Sequence, residues 1–316
     1  MDEYMKLLTI ERDDRHIRLR SPAKINLYLQ PLRKRPDGYH EIETIMQTIN
    51  FCDEVEIELT GSAIELICDH PDVPAGPGNL AWQAAEVFLK ESGLPPGVRV
   101  RIMKRIPVGG GLGGGSSNAA VTLLGLNELS GRPLEHGKLL ALAAPLGSDV
   151  PFFLYGGTAL CTGRGEQVEP LPPAPEFWVV LVIPTVNLSA EEIYSQVNLD
   201  LTNLPSMCKM LNSVNRHDVQ ALFRSLHNGL TRAVFSKCPS LERLWKEVVR
   251  EGLPRAQVSG SGSTLYGVCC TEAEAAEISL RLRRRLHGDV LVTVARNRLA
   301  SAEENCHGNH RGQDQP

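Results

Sequence analysis

The stretch RIPVGGGLGGGSSNAAVTLLGLNEL, residues 105–129, sets the terms on which the rest of the chain is read. Six of its seven glycines fall between Gly109 and Gly115, and two serines and an apolar run with helical spacing follow directly. Glycine tolerates positive φ and lets another group come close to the backbone. A helix start offers backbone N–H groups that have no acceptor within the helix, and the helix dipole adds partial positive charge there. A glycine-rich loop opening a helix is therefore a physical solution to binding an anion, phosphate above all. Ser116 and Ser117 suit helix capping, or contact with a phosphate or its metal ion. A flexible linker has a similar glycine content, but linkers are not normally followed by an apolar helical face such as AAVTLLGL.

The loop does not name its nucleotide. No G-K-[ST] follows GLGGGSS, so it is not the P-loop pattern. A dinucleotide fingerprint can be laid over Gly109, Gly111 and Gly114, but no β-α-β unit surrounds them and the preceding strand ends at Ile106-Pro107.

Working outward, HIRLRSPAKINLYLQPL (16–32), VEIEL (55–59) and GVRVRIM (97–103) alternate as strands do, the first of them ending at Pro31. The turn signal Pro36-Asp37-Gly38 precedes an amphipathic element. NLAWQAAEVFLKESG (79–93) reads as a helix stopped by Gly93. The helix opened near Ser116 ends near Gly131, and HGKLLALAAPLG (136–147) reads as another. EPLPPAPEF (169–177) contains four prolines and marks a linker or domain edge. Beyond it, FWVVLVI (177–183) is a buried strand. Helical patterns follow at 190–197, 219–230, 240–252 and 272–286, and strand patterns at 255–260, 264–270 and 289–296. The reading is α+β in two halves, 1–170 and 171–300, with a polar tail, 301–316, expected to be disordered.

Bulk composition narrows the class. The chain has 316 residues, 42% hydrophobic and 22% charged, which is ordinary for a globular protein. A net charge of -4 provides no general drive towards nucleic acid or an anionic membrane. The longest apolar run, 177–184, is too short to span a bilayer, and the N-terminus has no signal-peptide core. Eight cysteines are scattered with no C-x-x-C and no zinc spacing, as expected of thiols in a reducing, cytoplasmic space.

Three further stretches matter. In SPAKINLYL (21–29), Lys24 stands at the beginning of a strand; alone it reads equally as a surface cation. In LGSDVPFFL (146–154), Asp149 precedes apolar residues and is either a partly desolvated acid or a helix N-cap. VSGSGSTLYGV (258–268) is a second Gly/Ser loop, or a tight hairpin. Taken in order, P-x-K-I-N-L, then P-x-x-x-G-L-G-G-G-S-S, then L-G-x-D-V-P, then S-G-S-G-S-T resembles the GHMP kinase superfamily, over about residues 21–296. Within it, LRKRPDGYHEIETIMQTI (32–49) resembles the signature of the 4-diphosphocytidyl-2-C-methyl-D-erythritol kinase family. Physically, Tyr39 beside His40 suits a nucleobase, the ring stacking on a pyrimidine and the imidazole or its backbone reading the base edge.

The resemblance implies a two-domain GHMP kinase fold, with an N-terminal domain like ribosomal protein S5 domain 2 and a ferredoxin-like C-terminal domain. It implies ATP-dependent phosphorylation of the 2-hydroxyl of the cytidyl substrate in the non-mevalonate isoprenoid pathway. Asp149 would be the general base, with Lys24 lowering the hydroxyl's pKa and steadying developing charge. Pro107, Val108, Gly109, Gly110, Gly111, Leu112, Gly113, Gly114, Gly115, Ser116 and Ser117 would hold ATP, with Lys104 and Asn79 on the adenosine side. Asn26, Tyr39 and His40 would contact the substrate, and Gly260, Ser261, Gly262, Ser263 and Thr264 would close its pocket. Tyr194 is the candidate second aromatic clamp for cytosine, or else a core tyrosine. Mg2+ would bridge the phosphates, with no direct protein ligand assignable. The expected partner is a small molecule, with no nucleic acid or membrane, and the protein is expected to be a monomer or homodimer.

Overall fold

The computed structural model describes residues 2–61, 63–95, 97–197, 206–286 and 290–299. The expected tail, with Cys306, lies outside the described residues. One long hairpin organises the first half. Strand His16–Lys34 runs antiparallel to His40–Leu59 and connects to it through the turn at Pro36-Asp37-Gly38. Both strands extend past their readable alternation. The segment after the turn, legible only as amphipathic, is the beginning of the second strand. Pro31 does not end the first, because a register irregularity between Pro31 and Arg33 absorbs its missing N–H.

The eight-stranded sheet runs Thr9–Arg12, His16–Lys34, His40–Leu59, Val98–Met103 and Ile64–Cys68, with Thr158–Thr162 and Gln167–Pro170 branching from His40–Leu59 and His227–Asn228 from His16–Lys34. Helix Gly114–Leu129 lies across this sheet. It is apolar around most of its circumference, as a helix enclosed by other elements must be. It lies close because Gly125 lacks a Cβ, which would stand 2.5 Å from Ile57 Cδ1. Helix Leu80–Ser92 covers it from outside, capped by Asn79 at its start and, as its sequence indicated, stopped by Gly93 in the left-handed region.

The second half forms a four-stranded antiparallel sheet in the order Gln257–Val258, Leu265–Cys269, Trp178–Pro184, Val290–Arg296. With helices following the first and third of these in sequence, this is the ferredoxin-like βαββαβ arrangement. The 219–230 pattern is helical only over Val219–Arg224. His227–Asn228 crosses over and pairs parallel with Tyr28 and Leu29 of the first sheet, a strand too short to show a period. The two halves share a core in which Ala23, Ile25 and Leu27 meet Phe177, Val179, Leu181 and Tyr266. Residues 21–31 are consequently buried on both faces of the strand. That is what takes Lys24 and Asn26 out of water.

Candidate active site

The glycine loop is tied down on two sides. Lys24 N–H donates to Leu112 O at 2.9 Å, Thr264 N–H to Gly110 O at 3.1 Å, and the Ser259 hydroxyl to Gly111 O at 2.9 Å. Gly109, Gly111 and Gly113 all have positive φ, at 72°, 75° and 73°. Left-handed residues alternating in this way form the backbone nests that bind anions. At Gly111 no other residue fits, since a Cβ would lie 2.1 Å from Ser259 O. Gly113 is the N-cap of helix Gly114–Leu129 and brings no side-chain cap, so the first N–H groups of the helix keep their donor capacity.

Above the helix start lies a cavity of about 340 Å³. Pro107 to Gly111 and Gly113 to Ser116 line it, together with Lys104 and Asn79. Leu112 and Ser117 do not: Leu112 packs in the shared core, and Ser117 is buried with its hydroxyl accepting from Ser21 at 2.8 Å. Lys104 is committed to a buried ion pair with Asp53. Asp53 is fully buried and also accepts from Arg105 N–H at 2.7 Å, Ile106 N–H at 2.8 Å and Asn118 Nδ2 at 3.0 Å. It fixes the path of the chain from strand Val98–Met103 into the loop. Sequence reasoning missed Asp53, and also the cavity wall at Asp72, Val73 and Pro74, where only a run of turn-forming residues gave a signal.

Lys24 and Asp149, 125 positions apart in the numbering, meet with Nζ to Oδ2 at 3.5 Å. Lys24 is not a surface cation: its side chain is 5% exposed, against 28% for Asp149. Lys24 Nζ also donates to Asn26 Oδ1 at 2.8 Å, and Asn26 Nδ2 donates to Thr44 Oγ1 at 2.8 Å. Asp149 occupies the N-cap position of the short helix Val150–Tyr155, yet its side chain makes no cap hydrogen bond. The second Gly/Ser loop borders the pair, Gly260 lying against Lys24 Nζ and Asn26 Oδ1. It is anchored from behind by Asn228 Nδ2, which donates to Val258 O and Gly260 O at 2.8 Å each. Ser263 and Thr264 are buried there with hydroxyls that lack partners among the described residues.

The hairpin tip brings the aromatic groups. Tyr39 is 53% exposed and has the Arg164 guanidinium over its ring, 4.7 Å from the centroid. His40 packs on Tyr194 with ring centroids 5.4 Å apart and planes tilted by 34°. Burial, and then the charge of Lys34, hold the His40 imidazolium below the usual histidine range. Burial raises the Tyr194 hydroxyl above its ordinary value, and the charge of Asp149 adds to the shift. Cys161 lies beneath the same pair: burial pushes its thiol up, Asp149 adds to this and Lys24 opposes it.

A glycine-lined anion cavity, a buried lysine beside a half-open aspartate, and a ferredoxin-like second domain define a small-molecule kinase of the GHMP class. Residues 79–157 match the family GHMP kinases N terminal domain, and residues 210–288 match GHMP kinases C terminal. Over 268 residues, the chain is 40% identical to the 4-diphosphocytidyl-2-C-methyl-D-erythritol kinase of Geobacter sulfurreducens, a match covering 84% of this chain and 95% of that one. A crystal structure of 4-(cytidine 5'-diphospho)-2C-methyl-D-erythritol kinase superposes with a TM-score of 0.74 at 33% identity, over 88% of this chain and 98% of that one. Homoserine kinase from Cytophaga hutchinsonii shares the fold, with a TM-score of 0.69 at 19% identity over 92% and 96% of the two chains. The chain belongs to the 4-diphosphocytidyl-2-C-methyl-D-erythritol kinase family.

Proposed function

We propose that the protein transfers the γ-phosphoryl group of ATP to the 2-hydroxyl of 4-diphosphocytidyl-2-C-methyl-D-erythritol, a step of the non-mevalonate route to isoprenoids. The observation that carries this reading is the Lys24–Asp149 pair, which touches the glycine loop on one side and the second Gly/Ser loop on the other. Residues 1–170 supply the nucleotide cradle, and residues 171–300 close over the substrate.

Phosphoryl transfer asks a protein mainly for positioning and charge stabilisation. The N–H groups of the loop and helix start face the triphosphate, while the Lys104–Asp53 pair fixes the chain's path into the loop. Asp149 takes the proton of the attacking hydroxyl. Lys24 lowers that hydroxyl's pKa and offsets the charge that develops on its oxygen as the bond to the γ-phosphorus forms and ADP leaves. Asn26 holds Lys24 in place from the side away from solvent. Tyr39, His40 and Tyr194 receive the cytosine.

Mg2+, when bound, neutralises phosphate charge. No group of three His, Cys, Asp or Glu side chains among the described residues is arranged to hold a metal ion. That donor set fits a cation carried chiefly by the nucleotide, with Ser116 the hydroxyl at the cavity wall. No helix among the described residues is long and apolar enough to cross a membrane. The seven described cysteines are free, in keeping with a reducing, cytoplasmic space.

The test is ADP release measured in a coupled assay with the cytidyl substrate, mevalonate or homoserine as acceptor. Turnover with the cytidyl substrate alone is expected. Turnover with mevalonate or homoserine instead would move the protein elsewhere in the superfamily, and ATP binding with no turnover on any alcohol would make it a regulatory nucleotide binder.

A further inference from the structure

The substrate proposed above carries a diphosphate between its base and its reacting alcohol, and the cations nearest the site are mostly committed. Lys24 serves Asp149 and Asn26, and Lys104 serves Asp53. Arg35 is held between Asp37 at 3.1 Å and Glu41 at 2.9 Å. Arg164 differs. Its one side-chain ion pair among the described residues is a long one, Nε to Glu166 Oε2 at 3.8 Å, and its charge reaches Asp37 only through space, without an ion pair. The side chain is nevertheless only 26% exposed, because it lies over the Tyr39 ring.

The loop that presents Arg164 joins strands Thr158–Thr162 and Gln167–Pro170 and is fastened to both parts of the site. Gly163 O accepts from Ile42 N–H at 2.8 Å, two positions beyond His40. Gly165 packs against Ser148, the residue before Asp149, where an added Cβ would lie 3.7 Å from Ser148 O. Arg164 therefore stands at the junction between the base-reading hairpin and the catalytic aspartate, the span a diphosphate must cross.

We infer that Arg164 is the diphosphate-recognising and specificity-determining residue of the acceptor site, moving its guanidinium from the Tyr39 face onto the phosphate oxygens of a cytidine diphosphate ester. A cation over a half-exposed ring is a weak contact, whereas a guanidinium forks onto phosphate through two charge-assisted hydrogen bonds. The exchange is favourable and selects for a diphosphate over an uncharged nucleoside. This inference rests on the reading of Tyr39 and His40 as the base pocket.

The experiment compares binding of CDP and of cytidine, by competition against the cytidyl substrate and by calorimetry, to the full-length protein and its Arg164→Ala, Arg164→Gln, Arg164→Lys and Lys34→Ala variants. Arg164→Ala and Arg164→Gln should weaken CDP by roughly 10- to 100-fold, as loss of a charged, bidentate contact implies. Cytidine affinity and the KM for ATP should stay within about twofold, since neither uses the lost contact. Arg164→Lys should fall between, keeping charge but losing the fork. Arg164→Gln nearly preserves side-chain length without charge, so it reports on recognition even if the alanine variant folds poorly. Equal loss of CDP and cytidine would make Arg164 a mere support for Tyr39 and overturn the inference. Loss of CDP in Lys34→Ala with none in Arg164→Gln would overturn it in favour of Lys34. A wild-type protein that binds neither CDP nor cytidine would overturn the base-pocket reading as well, whereas one that binds both, with Arg164→Gln unchanged, would overturn the role of Arg164 alone.

Discussion

Two lysine–aspartate pairs flank the glycine loop, and they are built in opposite ways. In the Lys104–Asp53 pair both side chains are shut away from water, at 4% and 0% exposure, and the carboxylate is saturated by an ammonium, two backbone N–H groups and an amide. In the Lys24–Asp149 pair the partners stand 3.5 Å apart, the lysine is buried, and the aspartate faces solvent with no side-chain hydrogen bond of its own among the described residues. A saturated carboxylate has no lone pair left for a substrate proton, so the first pair holds the loop's entry path. An unsaturated carboxylate beside a fixed cation can accept a proton without first breaking a hydrogen bond, which supports the catalytic role proposed for the second pair. The same two residue types thus differ in their degree of satisfaction.

The largest expected effect tests the structural pair. Asp53→Ala strands the Lys104 charge and two buried N–H groups and should cost about 3–5 kcal/mol of stability, read by urea unfolding. Adding Lys104→Met should recover part of that loss, because an apolar side chain needs no partner. A loss below about 1 kcal/mol in Asp53→Ala would show that the pair is wet and the contrast false.

Next comes the catalytic pair. Asp149→Asn should cut kcat by ~10²-fold or more while unfolding free energy moves by less than about 1 kcal/mol. Lys24→Ala should also lower kcat, by loss of charge stabilisation; a change confined to KM would reduce Lys24 to a binding residue. Should Asp149→Asn instead destabilise the fold with turnover preserved, the two pairs would have the same role.

Two smaller effects map the ground on either side. Tyr39→Ala should raise the KM for the cytidyl substrate by roughly 5- to 150-fold, the worth of one stacked base, with Tyr39→Phe mild and the KM for ATP within about twofold. Comparable weakening of both substrates would place Tyr39 outside the base pocket. On the nucleotide side Gly115, not Gly113, is the clean probe. A Cβ at Gly113 would stand 3.0 Å from the Phe153 ring and 3.1 Å from Lys24 Cγ at positive φ, whereas at Gly115 it meets only Leu80 Cδ1 at 3.9 Å beside the open cavity. Gly115→Val should weaken ATP by roughly tenfold, the equivalent of one backbone contact to phosphate. Unchanged ATP affinity in a folded Gly115→Val protein would remove the cradle from that helix start.

The smallest effect is one of pH. The folded-state pKa of His40 lies below its unfolded value, so the unfolded chain takes up the proton first as pH falls. The stability associated with neutral His40 is complete above about pH 6.5 and is lost as pH drops through the folded-state value. His227 and His136 are shifted in the same direction by burial, so the quantity to measure is the difference between wild type and His40→Gln in unfolding free energy across pH 5–8. Parallel curves would mean that the hairpin tip leaves His40 in water.

Much of the local structure could be read directly. Gly93 ends its helix as read, because it tolerates a left-handed turn. The glycine loop announced the helix after it. The strand from His40 to Leu59 was legible only at its far end, because residues 44–49 are buried on both faces and the alternation that marks a strand disappears there. His227–Asn228 was hidden by brevity.

The chain order of the four motifs and the stretch around Tyr39 and His40 determined, without coordinates, the superfamily, the fold and the residues worth testing. Only the tertiary structure decided their surroundings. It buried Lys24 by packing a second sheet over its strand, brought Asp149 to it and Tyr194 to His40, turned Ser117 and Leu112 into the core, and saturated Asp53 while leaving Asp149 open. A pattern of neighbours in sequence encodes backbone conformation. Whether a charge is dry, paired or free depends on groups up to a hundred or more residues away, and that distinction separates the open Asp149 from the saturated Asp53.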